Sequence, residues 1–202
     1  MIFRIFIAAI ALLCVYIAYD SAAIMWAKSS AHKAEDSQIQ AAADADITVV
    51  EFLDYACDQC QNFHPVMARA LERDGKIRYI VKPIVAKQDD TGAPAAKLVY
   101  AAGRQGKFFE AHNMLIENYR TIDTAYVKNM AAQLGLDANQ LLKDMDDPKT
   151  DKILQKNAKN LENMKGKFIP SLLVNNDILL VVTEKIPSSD ELLSLFNRAR
   201  TL

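Results

Sequence analysis

The stretch from Ile47 to Ala68 leaves the rest of the chain little freedom. Ile47-Thr-Val-Val-Glu-Phe-Leu53 is short, β-branched and apolar, the make-up of a buried strand. Cys57-Asp58-Gln59-Cys60 follows, and then Phe63, Val66, Met67 and Leu71 fall at helical spacing. The two cysteines therefore stand where a strand hands over to a helix, in the first turn. Backbone N–H groups in that turn lack intrahelical partners, and the helix dipole adds partial positive charge. Such a setting favours the thiolate, the form of cysteine that attacks a disulfide. Cys57 is the expected exposed nucleophile. Cys60, one turn further in, is near enough to close a disulfide with it.

Downstream, Ile77 to Val85 alternates well enough for a second strand, with Gly75 marking the turn before it and Pro83 a strand end or an edge. Strand, helix, strand makes a βαβ unit. Residues 90 to 165 then read as helical almost throughout. Ala95, Leu98, Val99 and Ala102 make one apolar stripe after Pro94, and Phe108, His112 and Leu115 a second. Val127, Met130, Ala131 and Leu134 make a third, closed by Gly135, and Asp147-Pro148 opens a longer helix with Leu154, Ala158 and Leu161 inward. The apolar runs flanking Asn175-Asn176-Asp177 read as a hairpin, entered through Pro170. Ser188 and Glu191 form a capping box ahead of a last helix carrying Leu192, Leu195, Phe196 and Ala199.

At 202 residues the chain can bury a proper core, and its mixed charges sum to −1, which gives no nucleic-acid surface. Of three cysteines, the third, Cys14, lies in an apolar N-terminal run as a small hydrophobe, so no scaffold of structural disulfides is available. Arg4 followed by the uncharged run Ile5–Tyr19 marks residues 1–27 as a signal peptide or membrane anchor, with Trp26 where an interfacial aromatic would sit and Ser21-Ala22-Ala23 a weak cleavage signal. Either reading exports the rest of the chain. Residues 28–44, polar and without an apolar face, read as a linker.

A strand ending in Glu51-Phe-Leu-Asp-Tyr55 before C-x-x-C, with Phe63 and His64 after it, resembles the DsbA-like branch of the thioredoxin superfamily. Ala101-Ala-Gly-Arg-Gln-Gly-Lys-Phe-Phe-Glu-Ala-His112 resembles that branch's helical insert, and Phe168-Ile169-Pro170-Ser171 its proline loop, all in the family's order. The resemblance spans about residues 45 to 200. It implies an α/β thioredoxin fold in two parts, 45–88 and 166–202, with an all-helical insertion at 89–165 and an N-terminal signal or anchor helix. It also implies a cis Pro170 whose loop packs on the Cys57–Cys60 disulfide, with Ile169 beside it touching substrate backbone. Phe168 and Ile169 depart from the small or hydroxylated residues usual there. Glu51 matches the acid that relays protons beneath the cysteines, with Lys82 on the next strand as a possible partner. The bland alternative for Glu51 is an edge position facing solvent. Asp58 and Gln59, between the cysteines, are expected to tune the redox couple.

The implied activity is that of a protein thiol:disulfide oxidoreductase, with a redox-active disulfide and no other cofactor. Net oxidation of folding substrates is favoured, because the short segment before residue 45 leaves no room for the dimerisation domain of the related isomerases. A monomer is expected. Its partners would be cysteine-containing exported proteins and a membrane redox partner that recycles the disulfide, in a periplasmic or other extracytoplasmic space, at the inner membrane if residues 5–27 stay uncleaved. Two rivals remain: a dedicated reductase of the same fold, and a non-enzymatic module binding peptide or metal. Zinc would require two ligands beyond the cysteine pair. His64 could supply one, but the sequence has no second C-x-x-C, so a metal is not expected.

Overall fold

The computed structural model describes residues 2–85, 90–118 and 121–202. The segment expected as the central strand is β2 (Ile47–Leu53), and β3 (Ile77–Pro83) lies parallel to it in the register Glu51↔Val81 and Phe52↔Lys82. Between them runs α2 (Asp58–Asp74), stopped by Gly75 at φ 70°, where its N–H reaches the carbonyl of Leu71. β3 ends at Pro83, two residues short of the expected Val85, and the next N–H, that of Ile84, makes the last rung of the ladder with the Leu53 carbonyl. The hairpin is β4 (Ser171–Val174) and β5 (Ile178–Val181). β4 pairs antiparallel with β2 and β5 antiparallel with β4.

The segment expected as a linker is structured. Ile39–Ala41 forms a further strand, β1, antiparallel to β3, which completes a five-stranded sheet in the order β1-β3-β2-β4-β5. Before it, the apolar N-terminal helix α1 (Ile2–Ala31) runs past the expected end at residue 27. The reason is burial: Ala27 and Ala31 pack against Leu161 and Met164 and against the sheet residues Val50, Phe52, Ile80 and Leu173. Ser30 accepts a hydrogen bond from Asn160, and Lys28 and the ring of His32 reach the carbonyls of Asn176 and Asn175 at the hairpin tip. From Ile5 to Tyr19 α1 is apolar and exposed, and by length and composition the helix can cross a membrane.

Helices α3 (Ala93–Arg104), α4 (Phe108–Glu117), α5 (Thr124–Leu134), α6 (Ala138–Met145) and α7 (Pro148–Asn163) stand between β3 and β4. The expected boundary at 88/89 falls outside the described residues. Asp123, Asp137 and Asp147 cap α5, α6 and α7 by accepting first-turn N–H groups, the usual remedy for orphan donors there. Leu98, Leu115, Met130 and Leu141 share one apolar core with the sheet face that carries Val49 and Leu53. On that same face α2 packs beside the last helix, α8 (Ser189–Ala199), opened by the Ser188–Glu191 capping box.

Strand alternation then sorts the β2 side chains. Val49, Glu51 and Leu53 face α2, and Val50 and Phe52 face α7 and the end of α1. Glu51 is therefore interior, fully buried, and not a solvent-facing edge residue.

Candidate active site

Cys57 occupies the N-cap of α2, and its sulfur accepts the backbone N–H of Cys60 at 3.4 Å. Capping oxygens ordinarily take this place, so here a polarisable sulfur sits on the positive end of a helix. Cys57 is half-buried and Cys60 wholly buried, and both are thiols in this structure. The two titrate in opposite directions. Hydrogen bonds from the Cys60 thiol and from the first-turn N–H groups of Cys60 and Gln59 draw Cys57 down to about 7, against the opposing effects of its partial burial and of the Asp54 charge. Burial pushes Cys60 far up, and the nearby Cys57 sulfur and Glu51 carboxylate push it further. The first cysteine is poised to be a thiolate at neutral pH; the second keeps its proton until something takes it.

The Ile169–Pro170 bond is cis, and the Ile169 carbonyl lies 3.9 Å from the Cys57 sulfur. Val182 N–H bonds the Pro170 carbonyl and Ser171 Oγ the Phe168 carbonyl at 2.6 Å, so the loop is fixed on both sides. Beside it lies a cleft of about 420 Å³ lined by Gln59, Phe168, Ile169, Val182, Thr183 and Glu184. Phe168 is 59% exposed there, an apolar ring left to solvent in the cleft that Gln59 also lines.

Glu51 is placed on the active-site side of the sheet, where burial lifts its carboxyl to about 7 against the opposing pull of a hydrogen bond from Tyr79. Lys82 is not its partner. In the β2–β3 register Lys82 aligns with Phe52, so its side chain leaves the sheet on the opposite face. There its ammonium donates to the Lys33 carbonyl at 2.5 Å, and burial lowers it to about 8. Tyr79, two residues earlier than Val81, has the parity Lys82 lacks, and the sequence reading passed it over.

Asp58, the first residue of α2, is exposed. The acidic group whose charge raises Cys57 is Asp54, which is only 2% exposed and accepts the Ala56 N–H at 3.0 Å. Its place is tight. A Cβ on Gly92 would come within 1.8 Å of Asp54 Oδ1, so this close approach of backbone to side chain requires glycine.

A second buried polar string lies behind the site. Tyr55 hydroxyl and His112 Nδ1 are 3.0 Å apart, and the His112 ring meets His64 edge-on with centroids 5.1 Å apart. Burial holds His112 neutral down to about 3 and lowers His64 as well. His64 thus packs, buried, against the His112 ring. Among the described residues no three His, Cys, Asp or Glu side chains gather to hold a metal.

Residues 33–195 match the family model described as Thioredoxin. Among solved structures, a thioredoxin-like oxidoreductase from Silicibacter pomeroyi DSS-3 superposes with TM-score 0.70 at 24% identity, covering 84% of this chain and 99% of that one. The catalytic domain of Proteus mirabilis ScsC gives 0.68 at 21%, covering 88% and 99%. The thiol-disulfide exchange protein alpha-DsbA2 from Wolbachia pipientis gives 0.67 at 19%, covering 90% and 97%. These likenesses establish the fold. Curated sequence relatives include the Na(+)/H(+) antiporter NhaA 1 of Salinispora arenicola, 31% identical over 98 residues, or 48% of this chain. The match spans only 15% of that antiporter's length.

Proposed function

The chain belongs to the thioredoxin family, and from that premise we propose that it is a protein thiol:disulfide oxidoreductase working through Cys57 and Cys60. One observation carries the reading: a half-exposed sulfur at a helix N-cap, lowered to about 7, one turn from a buried thiol held in its protonated form. That asymmetry divides the chemistry. In the oxidising direction a substrate thiolate attacks the Cys57 sulfur of the Cys57–Cys60 disulfide, and Cys60 leaves as a thiolate that takes up a proton. A second substrate thiolate then attacks the substrate sulfur of the mixed disulfide, forming the substrate disulfide and releasing Cys57 as a thiolate. Two electrons pass from substrate to protein. Whatever stabilises that released thiolate favours the reduced protein, so the capped Cys57 supports net oxidation over reduction.

The cleft along Phe168 and Ile169 is where a substrate chain would lie, close to the one sulfur it must reach. Cysteine-containing exported proteins are the substrate class we assign, and a membrane redox partner reoxidises the pair. We further read α1 as an uncleaved anchor and the protein as a monomer. Cleavage in the Ser21–Ala23 region would split a continuous helix whose Asp20 pairs with Lys165 at 2.6 Å and whose Ala27 and Ala31 are core residues.

Trapping tests the assignment. In a Cys60→Ala variant the mixed disulfide on Cys57 has no internal thiol to displace it, so adducts should accumulate on non-reducing gels; Cys57→Ala should give none. Equal adducts from both variants, or none from either, would remove the nucleophile assignment.

A further inference from the structure

The proton that Cys60 gives up when it resolves a mixed disulfide must go somewhere that water does not reach. Cys60 is wholly buried, and the acid whose charge it feels, Glu51, is buried on the neighbouring strand. Among the described residues no cation acts on Glu51. Its Oε2 accepts the Tyr79 hydroxyl, and its Oε1 meets no hydrogen-bond partner among the described residues. The groups that feel the Glu51 charge are Tyr55, Cys60 and Tyr79, with Asp54 acting on Tyr55 and Cys57. From α2 and α4, His64 and His112 add neutral imidazoles to the same interior. Tyr79 is thus the sole described donor to the carboxylate.

Tyr79 also stands at a boundary. A cavity of about 490 Å³ runs between the β1 edge, α2 and α4; Tyr79, His64 and Phe109 line its wall, and exposed Gln40, Ala68 and Glu72 belong to its rim. It reaches Tyr79, and Glu51 is not among its lining residues.

We propose that Tyr79 is a positioning residue for disulfide exchange: its hydroxyl holds Glu51 in the charged, proton-accepting form next to Cys60, the part a lysine on the neighbouring strand cannot play here. The inference rests on the thiol-exchange reading and names a residue that reading does not need. The step balances. Cys60–SH gives its proton to the Glu51 carboxylate, the Cys60 thiolate attacks the Cys57 sulfur, the Cys57–Cys60 disulfide forms, and the substrate thiolate leaves with the electron pair of the broken bond. Glu51 then loses the proton to solvent. A hydrogen bond to the charged form lowers a carboxyl's proton affinity, so the hydroxyl sets the pH at which Glu51 can act.

The test uses the full chain, reduced and mixed with oxidised glutathione. Acid-quenched samples read by mass give the rate at which the glutathione adduct on Cys57 converts to the internal disulfide. In the wild type this rate should rise through a midpoint at about pH 7, where the Glu51 carboxyl titrates. Tyr79→Phe should move the midpoint up by about one pH unit, a loss of about fivefold at pH 7 that closes by about pH 9. Carbon-13 titration of the Glu51 carboxyl should move with it. Glu51→Gln, with no base at the position, should show no plateau and follow hydroxide. A Tyr79→Phe profile superimposable on the wild type, or lowered equally at every pH, overturns the proposal. If the wild type forms no glutathione adduct at all, the thiol-exchange reading fails instead.

Discussion

Replacing Glu51 with Gln should change how stability depends on pH, and the structure fixes both the sign and the size. In the folded protein burial raises the Glu51 carboxyl from an ordinary 4.5 to about 7. Between those values the native state holds a proton that the unfolded chain has released. Native stability therefore falls as pH rises through that window, and the full loss is present above it. At 1.36 kcal/mol per pH unit, the rise amounts to about 3 kcal/mol. Glu51 is fully buried, so solvent screening does not reduce that figure. Glutamine cannot ionise and lacks the slope. Its Nε2 would stand where Oε1 now has no partner, which costs about 1–3 kcal/mol at every pH alike. The quantity to read is thus the change in the difference between the two proteins, not the difference itself.

Urea unfolding of the reduced full chain in mild detergent, followed by circular dichroism from pH 4 to pH 8.5, supplies it. The Glu51→Gln protein should gain about 3 kcal/mol on the wild type between the two ends of that range. His112 opposes this trend within each protein. Burial lowers it from 6.5 to about 3, so the unfolded chain binds a proton there that the native state refuses, and stability rises with pH across that interval. The His112 contribution is common to both proteins and cancels in the comparison. A difference that stays flat from pH 4 to pH 8.5 would refute a buried, proton-loaded Glu51.

Two further outcomes follow from the same geometry. Iodoacetamide should label Cys57 with a half-maximal rate near pH 7 and leave Cys60 unmodified, as peptide mass mapping would show; labelling of both, or a midpoint near 9, would contradict the capped thiolate. In cells, the protein should stay in the membrane pellet after alkaline carbonate washing, at the mass of the full chain. A soluble form lacking the first 22 or 23 residues would establish cleavage.

Much of the fold was legible because it is written in strong local signals. The β2 run, the Gly75 stop, the Ser188 capping box and the apolar stripes of α3 to α7 each specify their element without help from the rest of the chain. What escaped depends on partners distant in sequence. β1 is three residues long, Ile39-Gln40-Ala41, and has strand character only because β3 offers an edge to pair with. The docked end of α1 is marked by Ala27, Ser30 and Ala31, residues too small to stand out as an apolar face until Leu161 and Met164 cover them. Charge and strand suggest Lys82 as a partner for Glu51, whereas alternation excludes it. Counting from the β2–β3 register selects the odd-numbered β3 residues Tyr79 and Val81, and only the first can donate a hydrogen bond. Asp54 gave no signal beyond its place after β2, since its effect on Cys57 comes from a turn that folds back on Ala56.

Glu51 and Cys60 are better treated as one titrating unit than as two residues. Each is buried, and each charge raises the proton affinity of the other, since the Glu51 carboxylate acts on Cys60 through the same low-dielectric interior. At neutral pH Cys60 therefore keeps its proton while the carboxyl titrates, and only the charged carboxyl can take that proton when Cys60 attacks. Cys57 escapes this constraint because it sits on the helix cap with backbone donors of its own. Forming the disulfide replaces an uncharged thiol with an uncharged sulfur, so the carboxyl answers to burial and to Tyr79 in both states. The carboxyl of the oxidised protein should therefore titrate at about 7, as in the reduced one. The carbon-13 titration that tests Tyr79, run in both redox states, compares the two directly. Midpoints about one pH unit or more apart would mean that Cys60 carries charge in the reduced protein.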